Sequence, residues 1–105
     1  MPQTQELLKR LTEANGVSGY ESDVQAMVEE MFDPLGVIER DRVGSIVCRQ
    51  GDSGPRVILA AHADEIGFMV HNVTPEGLLR FVPLGGWWDQ VLLGQQVIVH
   101  TCRGD

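Results

Sequence analysis

Apolar residues in the first third of the chain recur with a helical period. Leu7, Leu8, Leu11 and Ala14 share one face, with Thr4 in the N-cap position and Gly16 just past the end. A second stripe, Val24, Met27, Val28, Met31 and Phe32, runs until Asp33-Pro34 breaks it, and Ser22 with Gln25 forms a capping-box pattern ahead of it. Two amphipathic helices are predicted, with these Met and Phe side chains in the core.

From Val37 the period shortens. "VIERD" and "SIVCRQ" flank "RVG" as a hairpin, and the dense turn signal "GDSGP" leads into "RVILAA", whose five consecutive apolar residues predict a strand covered on both faces. Beyond it the pattern is strands alone: "GFMVHNVT", the turn "PEG", "LLRFVPL", the loop "GGWWDQVLL" and a last strand in "GQQVIVHTC". That shift places a domain boundary near Gly67. No repeat and no low-complexity tract interrupts the pattern.

Composition narrows the class. A chain of 105 residues that is 43% hydrophobic is long enough for one small domain with its own core. The net charge of −7 repels phosphate backbones and anionic headgroups, so neither nucleic acid nor a membrane surface is expected as a partner. Cys48 and Cys102 stand far apart with no neighbouring cysteine, which indicates neither a structural zinc site nor a disulfide framework. The start has no apolar h-region and no run approaches a membrane span, which together with two isolated cysteines reads as a cytoplasmic protein with its native N-terminus.

One stretch does not fit a purely structural pattern. "VILAAHADEIGFMV" interrupts apolar sequence with His62, Asp64 and Glu65. A histidine directly after a buried strand lies at the sheet edge where α/β proteins present their ligands, and in extended backbone the residue two positions on points to the same side. A metal-ligating imidazole normally gives its other N–H to a carboxylate, so an H-x-D supplies a ligand and its orienter together. Alone, the same residues also fit a capped strand end followed by a solvated turn.

The context gives this segment a family. "AAHADEIGFMV" followed by "GLLRFVPLGGWWDQVLLGQQVIV" resembles the N-terminal part of the TET-type metallo-aminopeptidases, the glutamyl and leucyl enzymes that assemble as tetrahedral particles. "LLKRLTEANGVSGYESDV" is similar to that family's first helix and G-x-S-G-x-E turn, and "DRVGSIV" to its D-x-x-G-N segment, with Ser45 in place of the usual asparagine and Ala63 in place of the commoner methionine.

The resemblance implies an α/β fold. Residues 1–66 would be the N-terminal part of an αβα catalytic domain, and 67–105 the first strands of an inserted β-rich dimerisation domain. It implies two divalent metal ions, zinc or cobalt, in the complete enzyme, with His62 the first metal ligand and Asp64 the catalytic-site carboxylate that orients it. Glu65 lies beside the site without an assigned role. A peptide is the implied substrate and a homo-oligomer the implied state.

The family's remaining ligands follow the inserted domain, beyond Asp105, so the site expected here is incomplete and the truncated chain inactive by itself. His71 and His100 read as strand or surface residues. Trp87 and Trp88 fit either an interface contact or a loop packing its own indoles, and the terminal "RGD" reads as a turn. The alternative is a complete non-catalytic module for self-association or partner binding. On either reading, bare strand edges at "RVILAA" and "QQVIVHTC" predict a chain that associates.

Overall fold

The computed structural model describes residues 2–102. Two helices, α1 (Pro2–Glu13) and α2 (Ser22–Phe32), precede two antiparallel hairpins, β1 (Val37–Arg40) with β2 (Ile46–Arg49) and β3 (Gly67–Val73) with β4 (Leu79–Leu84). A single 3-10 turn, η1 (Asp89–Val91), lies in the Trp87–Trp88 loop. The RGD tripeptide lies outside the described residues.

Both helices form where the apolar stripes predict them, but neither starts as expected. Thr4 is inside α1, which already includes Pro2, so it cannot cap the N-terminus; Pro is well suited to a first turn, where its missing N–H leaves no bond unmade. Ser22 is the first residue of α2 rather than its cap, and Glu21 occupies the N-cap without a side-chain bond to the helix. The Glu21 carboxylate instead accepts the Gly19 N–H at 2.7 Å, closing the turn that leads in. At the other end Asp33 caps α2 through its N–H to Glu29, as the Asp33-Pro34 break predicts.

The first hairpin packs on α2. Its register pairs Val37 with Arg49 and Arg40 with Ile46, and Arg40 donates to both Glu29 and Gln25 on the helix. The bond from Arg40 is the leading reason the Glu29 carboxyl sits below its ordinary range and the Arg40 guanidinium above its own. At the turn, Asp41 Oδ1 accepts the N–H groups of Val43 at 2.9 Å and Ser45 at 2.8 Å. Ser45 thus enters this turn through its backbone N–H.

The second hairpin carries a bulge. Val70 pairs with Phe81 and Asn72 with Arg80, leaving His71 as the extra residue. Phe68 packs edge-on against Phe81, centroids 4.7 Å apart, and stacks on Trp87 at 4.6 Å, while Trp87 Nε1 donates to the Gly67 carbonyl at 3.0 Å. Trp87 is thus packed against β3 and not by its own loop; Trp88 is left 78% exposed.

Two predicted strands do not form. "RVILAA" belongs to no strand, with Val57, Ile58 and Leu59 81%, 85% and 95% exposed, and "GQQVIVHTC" contributes to neither hairpin, although Cys102 near its end makes a bridge. A strand buried on both faces depends on neighbours distant in sequence, and among the described residues neither segment joins a sheet. The apolar interior is correspondingly small. Among the described residues Val24 on α2, 6% exposed, is the buried hydrophobic side chain, seated under Gly16.

Candidate functional site

The segment from His62 to Glu65 crosses between the two hairpins and is anchored at its far end. Val17, in the turn between α1 and α2, forms a parallel bridge with Glu65, and the Glu65 N–H donates to the Gly16 carbonyl at 2.7 Å. The Glu65 carboxylate accepts the Gly16 N–H in return, at 3.3 Å. Gly16 is buried, and a β-carbon on it would stand 2.9 Å from Val24 Cγ2 and 3.3 Å from the Ala63 carbonyl, so only glycine allows this approach.

Against that anchor His62 and Asp64 meet. His62 Nδ1 lies 2.9 Å from the Asp64 carbonyl oxygen and 3.1 Å from Asp64 Oδ1. Both partners are acceptors, so Nδ1 carries the proton and, in the neutral ring, Nε2 is left with its lone pair. The pair is accessible, with the imidazole 84% and the carboxylate 45% exposed. His62 therefore follows a segment that belongs to neither hairpin, not the end of a central strand as expected, but the H-x-D spacing does bring imidazole and carboxylate together.

The other histidines belong to different segments of the chain. His71 occupies the bulge of β3 and His100 lies past the last strand, and among the described residues no three His, Cys, Asp or Glu side chains converge as a metal-binding group. The described residues thus offer one oriented imidazole of the kind a divalent ion takes, without the donor set of a whole centre.

The sequence pattern does not point to the Glu65 contact. Gly16 reads from the sequence as a helix-end glycine, and its partner is 49 residues away. A contact across 49 residues leaves no periodic signal in the sequence, and the exposed Glu65 carries no burial cost that would point to it.

Comparison with known proteins follows the same lines. The family model for M42 glutamyl aminopeptidase matches residues 44–105, and a second model, AMPT, matches residues 2–26. The chain is 35% identical over 102 residues to the lysyl aminopeptidase of Pyrococcus furiosus, covering 95% of this chain and 30% of that protein. Its structure matches the TET aminopeptidase of a marine sediment archaeon, Thaumarchaeota, with a TM-score of 0.90 and 45% identity over 97% of this chain and 29% of the other. It also matches the dodecamer PhTET1-12s with a TM-score of 0.87 and 34% identity, covering 94% and 30%. The chain spans under a third of the length of the curated relatives it matches. The match over more than half of its residues, joined to an α/β arrangement that superposes on the N-terminal part of TET aminopeptidases, identifies it as a member of the M42 glutamyl aminopeptidase family.

Proposed function

We propose that the chain is the N-terminal part of a cytoplasmic metal-dependent aminopeptidase, and that it supplies one metal ligand and that ligand's orienting carboxylate to a site completed by other residues. The observation that carries this reading is the His62–Asp64 contact, with Nδ1 committed to Asp64 and Nε2 available. Residues 1–66 belong to the catalytic domain and 67–105 open the β-rich dimerisation domain.

His62 would hold a divalent ion, zinc or cobalt, through Nε2. Asp64 fixes the ring's tautomer and orientation and makes Nε2 more basic. When bound, a pair of such ions polarises the peptide carbonyl and lowers the pKa of the attacking water. The described residues fit this role for a single ligand only, because no further donors converge on His62. The chain by itself is therefore inactive as a peptidase. By analogy with its relatives the substrate is a peptide with a free N-terminus, and the dodecameric neighbour supports a homo-oligomer.

Aminoacyl anilides with added zinc, cobalt or manganese test this directly. No turnover is expected from the chain alone; turnover that His62→Ala abolishes would show that the remaining ligands are present and unrecognised. Divalent ion should still perturb the His62 ring, weakly. A second reading, a non-catalytic association module, is favoured by the exposed Val57–Leu59 segment. It predicts self-association with no response of His62 to metal.

A further inference from the structure

Asp64 and Glu65 are adjacent acids with different tasks. In extended backbone they point to opposite sides, and the contacts follow that alternation: Asp64 turns to His62 while Glu65 turns to Gly16. Glu65 takes both backbone polar groups of Gly16, donating its own N–H to the carbonyl and accepting the Gly16 N–H on its carboxylate. A buried backbone N–H left without an acceptor costs roughly as much as a lost hydrogen bond, so this two-point clip holds the turn and the segment together.

A second contact runs in parallel. The Ala63 carbonyl, between His62 and Asp64, lies against the same glycine, which rests in turn on Val24, the buried residue of α2. The exposed H-x-D is thus referenced to the helical part of the chain through Gly16.

We propose that Glu65 is a positioning residue: by clipping to Gly16 it fixes the backbone of residues 62–65 so that the Asp64 carboxylate and carbonyl both face His62 Nδ1 and Nε2 is presented to a divalent cation. This rests on the reading of His62 as a metal ligand, and it assigns the second acid of the segment. Glu65 touches neither the ion nor the substrate. Its effect passes through the shape of the backbone that carries the ligand.

The test is nitrogen NMR of the 105-residue chain with 15N-labelled histidine, the His62 ring being assigned by its loss in His62→Gln and observed where an ordinary imidazole is neutral. The wild-type ring is expected in the Nδ1–H form. In Glu65→Ala the ring should relax to the Nε2–H form common in free histidine, and the Co2+ concentration needed to perturb it should rise about tenfold, the low end for loss of groups that orient a ligand. Glu65→Gln keeps a carbonyl acceptor and should keep the wild-type ring.

If Glu65→Ala does not fold, Glu65→Asp withdraws the acceptor by one methylene and should give the same ring change. Gly16→Ala, which pushes on the Ala63 carbonyl with Glu65 intact, should do so as well. An Nδ1–H ring that persists while the Gly16 amide becomes open to exchange would overturn the positioning role. A wild-type ring in the Nδ1–H form that ignores Co2+ would sink the metal reading instead, and the tautomer in the variants would still decide what Glu65 does.

Discussion

The isopropyl group of Val17 lies directly on the bare α-carbon of Gly67. A β-carbon built at Gly67 would stand 2.6 Å from Val17 Cγ2 and 2.9 Å from Cγ1. Gly67 is buried and opens β3, while Val17 sits in the turn between the helices, so this contact joins the helical part to the second hairpin.

Gly67→Ala should therefore destabilise the chain by about 1–3 kcal/mol, the usual cost of forcing a methyl group into filled space. Val17→Ala removes both clashing methyl groups, and the double variant should recover most of the loss. Urea unfolding followed by tryptophan fluorescence is the natural measurement, because Trp87 bonds to the Gly67 carbonyl. Losses that simply add would show that the two residues do not compete for the same space.

The two tryptophans should behave differently. Trp87→Leu removes a stacked partner of Phe68 and a hydrogen bond, together about 1–3 kcal/mol, whereas Trp88→Leu should change stability by no more than about 0.5 kcal/mol. Acrylamide should quench the fluorescence of the Trp87→Leu protein, which keeps only the exposed indole, more strongly than that of the Trp88→Leu protein. Equal quenching would contradict the packing described for this loop.

Local patterns were legible and distant ones were not. The helical stripes through Leu7–Leu11 and Val24–Phe32 and the turns at Asp41–Ser45 and Thr74–Leu78 depend on residues within a few positions of each other, and the elements lie where the spacing places them. The H-x-D contact was legible for the same reason: two residues in extended backbone share a side. The Glu65–Gly16 clip spans 49 residues and leaves no periodic trace. "RVILAA" failed in the opposite sense, since its apolar run correctly signals a need for cover on both faces but cannot supply the neighbouring strands. Thr4 and Ser22 failed because capping patterns locate a helix start only to within a residue or two: α1 already includes Pro2, and Glu21 takes the N-cap of α2.

The turn of the first hairpin should respond to acid. The Ser45 side chain, foremost, and the backbone N–H groups of Ser45, Val43 and Gly44 hold the Asp41 carboxyl below its ordinary value of 3.8. A carboxyl whose folded pKa is depressed stabilises the fold above the unfolded value and loses that contribution as pH falls through the folded one. The amide resonances of Val43 and Ser45 should therefore titrate together at a pH below 3.8, and Ser45→Ala should move that midpoint upward. An unchanged midpoint in Ser45→Ala would show that the backbone donors alone set it.

Association should follow from the surface the chain presents. Its accessible area is 9522 Å², against about 5,800 Å² for a compact monomer of its mass, and its radius of gyration is 17.7 Å against about 13 Å. Many large apolar side chains are exposed, and Val57, Ile58 and Leu59 form a continuous run of them that belongs to no strand. Such a segment is a template for strand pairing. Removing apolar surface from water gains about 25 cal/mol per Å², so an interface of about 1,000 Å² can offset the several kcal/mol of freedom lost on joining two chains. The weight-average mass from sedimentation should therefore rise above 11.6 kDa with concentration, and Leu59→Lys, which puts a charge in the middle of the run, should lower it at every concentration. A wild-type chain that stays at 11.6 kDa throughout, or a Leu59→Lys variant that associates equally well, would show that this run is not the surface through which copies meet.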